Sequence, residues 1–243
     1  MPLRLIFRLC AAALLFLGGG ASLAAAPASG RWQVVLVAGD NAEPVFDNAV
    51  AAVSDWLQAD GVRTATIHRL SASPPARDPA IEPASVARVL RRIASLQARP
   101  GERCLVFITS HGKQEGIWLA ASGEFLEPAG LARALSVGCA AVPTVVILSS
   151  CYSGVFAAGP MKAPNRIILS AARADRPSFG CQADRTYTVF DECLLSALPR
   201  APTWRAVYEG SRDCVTRRER RLAVLPSQPQ AAFGTAVRNL AVR

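Results

Sequence analysis

The sequence predicts an α/β protein whose central sheet is mainly parallel, with helices on both faces. Apolar runs of strand length, rich in Val, Ile and Leu, recur along the chain and alternate with helical segments. Strands buried on both faces are continuously apolar, and alternating strands and helices are typical of a parallel sheet. With 243 residues, of which 51% are hydrophobic, the chain is long enough for one domain with a large core.

The first predicted strand covers residues 32–38 (WQVVLVA). Residues 46–59 follow with apolar side chains at helical spacing, and Gly61 is a typical helix stop. Residues 62–70 (VRTATIHRL) alternate between polar and apolar side chains, which indicates a half-exposed second strand. Strand, helix and strand in this order form the first parallel unit of the predicted sheet.

A Pro-rich loop at residues 71–83 separates this unit from a predicted helix at residues 85–97. Residues 105–112 (LVFITSHG) are the third predicted strand. Residues 116–126 (GIWLAASGEFL) indicate a hairpin that turns at Ser-Gly, and Pro128 is a favourable first residue for the next helix. The hairpin and this helix separate the third strand from the fourth.

Two further strands are predicted at residues 144–154 (TVVILSSCYSG) and 166–172 (RIILSAA), ahead of helices in the last part of the chain. The third strand leads to His111, and the fourth leads to Cys151. In an open parallel sheet the ligand crevice lies at the carboxyl ends of the strands, and neighbouring strands run about 4.8 Å apart. We therefore expect His111 and Cys151 to lie at one edge of the sheet, within reach of the same substrate bond.

A catalytic interpretation of this pair has structural alternatives. A lone His is often a satisfied structural residue, and a Cys after an apolar strand is often a small buried hydrophobe. Both residues are, however, closely followed by glycine, and Cys151 lies among small residues at 149–154 (SSCYSG). Small residues let the backbone turn sharply and let a substrate carbonyl approach backbone N–H groups. The other histidine, His68, is the weaker candidate because it lies within a half-exposed strand beside Arg69.

The amino-terminal segment predicts a cleaved signal peptide. Two arginines precede an apolar stretch at residues 9–17, and residues 22–24 (SLA) fit the small-x-small cleavage rule. A membrane anchor is the alternative, but the apolar run is shorter than the roughly 20 residues that a span requires. We expect residues 1–24 to be a signal peptide and residues 30–243 to form a single domain. The mature protein would then be periplasmic or secreted.

Loss of this leader with its two arginines lowers the formal net charge from +9 to +7. A basic charge of this size can indicate nucleic-acid binding. The arginines lie mostly on predicted helix faces, however, and neither a nucleic-acid module nor interleaved aromatic and basic residues accompany them. We expect no nucleic-acid partner, although a basic exported protein can make peripheral contact with an anionic membrane surface.

Six cysteines follow the leader, and an oxidising compartment permits disulfides. If Cys151 stays a thiol, the other five allow at most two intramolecular pairs. Cys104 opens one central strand and Cys139 lies five residues before another, at the same amino-terminal edge, so these two could pair. Cys193 and Cys214, on consecutive predicted helices, are the second candidate pair. Cys181 would then stay unpaired. None of these spacings matches a zinc site, so we expect no metal and no cofactor.

Five segments of the chain carry a resemblance to a known family. They are VLVAGDNAEPVFDNAV, FITSHG, VVILSSCYSG, SAARADRPSFGC and PSQPQAAFG. Together they resemble the bacterial members of the legumain family of cysteine peptidases, relatives of asparaginyl endopeptidases and of the catalytic subunit of GPI transamidase. The likeness extends over residues 32–234. The combination of His-Gly with Cys-x-Ser-Gly, in this order and after strands, is a fairly specific signature.

The resemblance implies a caspase-like α/β fold in which His111 and Cys151 form the catalytic dyad. It also implies an oxyanion hole made of the backbone N–H groups of Gly112 and Cys151. The residue before the scissile bond would enter a pocket whose expected contacts come from three segments of the chain. These contacts are Asp47, Asn48, Ser170, Ala171 and Asp191.

The chain departs from the family in the loop after the first strand. Legumains carry there an Arg-His pair and an Asn that orients the catalytic His, whereas residues 40–48 contain no Arg or His. Asn41, Asp47 and Asn48 are the available polar groups, so the third catalytic residue stays unassigned. Without the cationic Arg-His pair, the expected pocket has an acidic character. It should therefore accept a neutral amide or a basic side chain and reject acids.

We therefore expect an exported cysteine endopeptidase that cleaves peptide bonds through a Cys151 thioester, after Asn or a basic residue. The thiolate is the attacking form, and His111 takes the thiol proton or protonates the departing amine. Water then releases the acid product, or an amine acceptor gives transpeptidation. The alternative is an exported binding protein, inactive or transpeptidase-like, on the same scaffold. A thiol redox protein is disfavoured because the chain has no Cys-x-x-Cys pair.

Overall fold

The computed structural model describes residues 32–74 and 78–243 of the chain. The predicted signal peptide at residues 1–24, with its cleavage site, lies outside these residues, so its prediction stays open. Within the two described ranges, no helix is both long enough and apolar enough to cross a membrane.

The strands of the described residues form two sheets. In chain order they are β1 (Trp32–Ala38), β2 (Ile67–Ser71), β3 (Ile81–Pro83), β4 (Arg103–Thr109), β5 (Gly112–Lys113), β6 (Gly116–Leu119), β7 (Glu124–Leu126), β8 (Thr144–Ser149), β9 (Arg166–Ser170) and β10 (Gln230–Phe233). The central sheet has the order β10-β9-β8-β4-β1-β2-β3, and only β10 runs antiparallel to its neighbour. The predicted mainly parallel sheet is confirmed. Strands β5, β6 and β7 form a small antiparallel sheet.

Helices cover both faces of the central sheet, as the alternating pattern predicts. They are α1 (Val45–Ala59), α2 (Val86–Ala94), α3 (Pro128–Gly138), α4 (Val189–Ala197) and α5 (Trp204–Leu222). Helices α1, α4 and α5 pack on one face, where Phe46 and Trp204 join Leu36 in a single core cluster. Helices α2 and α3 cover the other face, where Leu131 packs into the cluster of Val106.

Three elements differ from the sequence prediction. Strand β2 begins only at Ile67, because Thr64–Thr66 form a 3₁₀ turn. Strand β3 lies within the predicted Pro-rich loop and pairs with β2. Strand β10 pairs with β9, with Gln230 opposite Ser170, although its sequence shows no strand periodicity. Both additional strands are short edge strands, whose pairing depends on a neighbour supplied by the tertiary fold.

Both predicted disulfides are present. They join Cys104 to Cys139 and Cys193 to Cys214. The first fastens the end of α3 to the start of β4, and the second fastens α4 to α5 on the other face of the sheet. Cys151 and Cys181 are the free thiols of the two described ranges, as the cysteine count predicts.

Candidate active site

His111 and Cys151 follow two neighbouring central strands, β4 and β8. These strands pair in parallel with Thr109 opposite Ser149, and the Ser110 amide donates to the Ser149 carbonyl at 3.0 Å. His111 lies two residues beyond Thr109, and Cys151 lies two residues beyond Ser149. The parallel register therefore brings His111 and Cys151 to the same edge of the sheet, and both are partly exposed there.

Gly112 packs directly against the backbone of Cys151. A Cβ atom at Gly112 would lie 2.5 Å from the Cys151 carbonyl oxygen and 2.7 Å from Ser150 Oγ. A Cβ atom essentially never approaches a non-bonded heavy atom to less than 3.0 Å. Only glycine therefore lets the segment after β4 lie this close to Cys151.

Two backbone N–H groups at this edge donate no hydrogen bond to the described residues. Gly112 lies opposite Ile117 in the hairpin, and the Trp118 amide donates to the His111 carbonyl at 3.0 Å. This pattern makes Gly112 a non-hydrogen-bonded position, so its N–H stays out of the hairpin ladder. The Cys151 N–H likewise has no acceptor among the described residues. Both donors are free to bind the oxygen of a ligand.

The chain turns sharply directly after Cys151. Tyr152 has a left-handed backbone conformation with φ of 58°, which is uncommon for a residue with a bulky side chain. Its amide donates to the Arg176 carbonyl at 2.8 Å. A Cβ atom at Gly154 would lie 2.5 Å from the Ala174 nitrogen, so this glycine lets the loop after β9 pack against the turn. The loop and the turn together fix the backbone that carries Cys151.

The loop after β9 also contacts the Cys151 sulfur. Sγ accepts from the Ser178 amide at 3.2 Å and lies 3.4 Å from the Ser178 carbonyl oxygen, to which the thiol donates. Cys181 follows in the same loop and is partly exposed. The pKa of the Cys181 thiol is raised, first by burial and then by the charge of Cys151. The loop after β9 therefore carries both the backbone contacts of Cys151 and the second free thiol of the described residues.

Phe46 contacts the His111 ring. The two rings are edge to face, with centroids 5.2 Å apart and an interplanar angle of 78°. Phe46 lies within residues 40–48, the stretch expected to supply the third catalytic residue. In that loop, Asn41 donates to Ser73 Oγ at 2.5 Å, and Asp40 accepts from a backbone amide at 2.7 Å. The imidazole is packed by an aromatic ring, while these polar groups are engaged elsewhere.

Three residues expected to contact substrate are buried. Ser170 and Asp191 are 0% exposed, and Ala171 is 1% exposed. Ser170 is the last residue of β9, and its hydroxyl donates to the carbonyls of Ala172 at 3.2 Å and Gln230 at 3.4 Å. As folded, none of the three can touch a substrate, because the packing of β9 and α4 seals them beneath the surface. This part of the predicted pocket is corrected.

Asp191 lies in the first turn of α4, beneath the ends of β4 and β8. Its Oδ2 accepts from Thr109 Oγ1 at 2.8 Å, and its amide donates to Thr188 Oγ1 at 3.1 Å. The other carboxylate oxygen, Oδ1, has no partner among the described residues. Burial raises the pKa of Asp191 from 3.8 to about 6, against the opposing effect of nearby hydroxyls. The carboxyl group supports the strand ends from below.

Asp191→Asn should stabilise the protein at about pH 7.5, and this gain should vanish as the pH falls to about 4. Because the pKa is raised on folding, the folded state keeps a proton that the unfolded chain loses between about pH 4 and 6. Wild-type stability therefore falls as the pH rises through this window. A neutral amide at position 191 avoids this loss in the free energy of unfolding, which is on the order of 2–3 kcal/mol at neutral pH.

Urea unfolding of both proteins across this pH range measures the difference. Asp55→Asn makes the same substitution at an exposed position of α1 and is the matched control. A stability difference for Asp191→Asn that is the same at every pH would contradict the assignment.

Asp47 and Asn48 are neighbours in α1 but face different ways. The Asn48 side-chain amide donates to the Thr186 carbonyl at 3.1 Å, in the loop after β9. Asp47 faces the end of β2, where burial raises its pKa while Ser71 and Arg69 oppose the shift. The structure therefore brings Asn48, and not Asp47, to the loop after β9.

His68 lies away from the edge that carries Cys151. It is the second residue of β2 and pairs with Val35 in β1, within the sheet. Its pKa is lowered, first by burial and then by the charge of Arg92. The strand order puts β4 and β1 between β8 and β2, so His111 is the histidine at the edge with Cys151.

A cleft of about 290 Å³ opens beside His111. Its other walls come from the small sheet: Gly112, Lys113, Trp118 and Phe125. The Trp118 and Phe125 rings lie 5.2 Å apart, and the Lys113 ammonium is 5.7 Å from the Phe125 centroid. An aromatic wall next to the imidazole can hold an apolar side chain of a peptide. Across the described ranges, no group of three His, Cys, Asp or Glu side chains could hold a metal ion.

The chain resembles known proteins in sequence and in fold. Residues 86–200, which include both His111 and Cys151, match the model of the peptidase C13 family. The structure is similar to the crystal structure of caspase-1 from Spodoptera frugiperda, with a TM-score of 0.61 and 11% identity, over 84% of this chain and 87% of that chain. No curated protein matches the sequence. The match of residues 86–200 to this family model and the caspase-like fold together indicate that the chain is a cysteine-type peptidase.

Proposed function

We propose that the protein is an exported endopeptidase with Cys151 as nucleophile and His111 as general acid and base. The shared register of β4 and β8 carries this proposal, because it is the observation that links the two reactive groups to one edge. The close approach of Gly112 to Cys151 supports an oxyanion hole made of their two backbone N–H groups. The contact between Phe46 and the imidazole supports a dyad, with an aromatic ring in place of a polar orienting residue.

The proposed reaction is acyl transfer through a thioester. The Cys151 thiolate attacks the carbonyl carbon of the scissile bond, and the oxygen that gains the electron pair accepts from the N–H groups of Gly112 and Cys151. Collapse of this intermediate breaks the C–N bond, and the His111 imidazolium gives its proton to the departing amine. Water then attacks the thioester while His111 accepts its proton, and the C–S bond breaks to release the acid product and restore the Cys151 thiolate. An amine in place of water gives transpeptidation.

Selectivity for Asn or a basic residue before the cut is part of the proposal. With Asp191 buried, the partly exposed acid of the loop after β1 is Glu43, whose charge helps to raise the pKa of Cys181. Asn48, tied to the loop after β9, offers a neutral amide. Peptides that differ only at this position should be cleaved at least about tenfold faster with Asn, Arg or Lys than with Asp at about pH 7.5, because like charges repel. Equal rates for Asp and Asn would contradict the acidic pocket.

Thiol alkylation tests the function of the site. Iodoacetamide should abolish cleavage of a peptide library at the same rate at which it modifies Cys151. A peptide that the enzyme cleaves should slow both the modification and the inactivation when it is added as substrate. Cys181→Ser is the matched control, since it removes the other free thiol of residues 32–74 and 78–243. This variant should cleave peptides as the wild type does before alkylation, and alkylation should abolish that cleavage. Full activity after complete modification of Cys151 would refute this residue as the nucleophile, whereas no cleavage of any peptide by the unmodified protein would favour a binding protein on the same scaffold.

Export is also a proposal, and the disulfides support it. Two bridges in the described residues are typical of a protein in an oxidising compartment, because cytosolic thiols are kept reduced. We propose that the mature protein is periplasmic or secreted and acts there on peptide or protein substrates.

A further inference from the structure

A second cleft opens at the amino-terminal end of β9, opposite the strand ends that carry the proposed active site, and beside the edge strand β10. Its volume is about 440 Å³, within the range of sites for small organic ligands. Its walls are mainly small or apolar, and they include Ala163, Ala231 and Phe233. Two cationic side chains, Lys162 and Arg166, complete the lining, which contains no acidic residue.

The Arg166 guanidinium at this cleft is buried without a counter-charge. The residue is 5% exposed, its Nη1 donates to the Met161 carbonyl at 2.6 Å, and its Nε has no partner. None of the ion pairs within the described ranges includes Arg166. A buried Arg is normally paired, because an uncompensated charge away from water is costly. The cleft therefore borders a desolvated cation whose anion is not supplied by the described residues.

We propose that this cleft binds a small organic carboxylate with an apolar body. A planar guanidinium offers two parallel N–H groups that match the two oxygens of a carboxylate. Lys162 is exposed at the rim, so Arg166 is the one desolvated charge and a single negative charge compensates it. The apolar walls around Phe233 favour a ligand whose carboxylate is attached to a hydrocarbon group.

The carboxylate cleft is separate from the proposed active site. Arg166 is the first residue of β9, whereas Cys151 follows the last residue of β8, and the two strands run parallel. A strand of five residues spans roughly 16 Å at about 3.3 Å per residue. The two sites therefore lie at opposite ends of the central strands, and carboxylate binding can be measured without reference to peptidase activity.

Calorimetric titration of the mature protein tests the proposal with four probes. N-acetyl-leucine and octanoate both carry a carboxylate on an apolar body, the first peptide-like and the second a free aliphatic acid. N-acetyl-leucinamide has the same body without the charge, and inorganic phosphate has charge without the body. We expect at least one carboxylate to bind saturably, at least about tenfold more tightly than the amide and phosphate. No saturable binding of either carboxylate, or equal binding of the amide, would overturn the proposal.

Three variants locate the binding. Arg166→Lys keeps the charge but loses the planar fork, and Lys162→Glu reverses the charge at the rim; each should weaken carboxylate binding about tenfold. Arg133→Glu makes the same charge change at an exposed position of α3, outside the cleft, and should bind as the wild type does. Melting curves show that each variant is folded. If Lys162→Glu binds no differently from Arg133→Glu, the carboxylate does not bind in this cleft.

Discussion

Cys151→Ala should abolish peptide cleavage, with a loss of at least about a thousandfold in kcat/KM, and His111→Ala should cause a loss of similar order. Without the sulfur no thioester can form. Without the imidazole the departing amine is not protonated. Both residues are partly exposed and follow their strands instead of packing within them, so neither substitution should unfold the protein.

Turnover of a peptide library, together with a melting curve for each purified variant, checks this result. His68→Ala is the matched control, because it removes the other imidazole from a position within β2. It should cause only a mild loss. Near-normal turnover by Cys151→Ala would refute the nucleophile assignment, and a loss by folded His68→Ala as large as that of His111→Ala would reopen the choice of imidazole.

The parallel core could be predicted because its strands are local features of the sequence. β1, β4, β8 and β9 are apolar runs long enough to be recognised singly, and their order along the chain implies a parallel sheet. The edge strands β3 and β10 are different. Each has only three or four residues and pairs along one side, so its strand conformation comes from the neighbour and not from its own pattern.

The same distinction applies to the site. His111 and Cys151 could be located because the rule for strand ends needs only the strands and their order. The burial of Asp191 could not be predicted, because it depends on how deeply α4 packs beneath β4 and β8. The sequence did carry a signal for its helical position: Asp191 follows Thr188 by three residues, and a Thr cap places that position in the first helical turn. The contact of Phe46 with His111 had no comparable signal, since Phe46 fits the apolar face of α1 equally well.

Gly112→Ala should reduce kcat by about a hundredfold or more, although it adds a single methyl group. The new Cβ would meet the Cys151 carbonyl oxygen at 2.5 Å, and backbone atoms cannot turn aside as a flexible side chain can. Either the segment after β4 or the backbone at Cys151 must move. Both movements separate the N–H groups proposed for the oxyanion hole, so the effect should appear in kcat more than in KM.

Gly210→Ala in α5 is the matched control, because its Cβ would make an ordinary contact of 3.5 Å with Ala197. It should leave kcat unchanged. The alkylation rate of Cys151 separates two causes of a loss in Gly112→Ala: a thiol that still reacts normally would mean that the oxyanion donors, and not the nucleophile, have moved. An unchanged kcat in Gly112→Ala would show that the segment after β4 can shift without consequence, and the donors for the oxyanion would then have to be other groups at this edge.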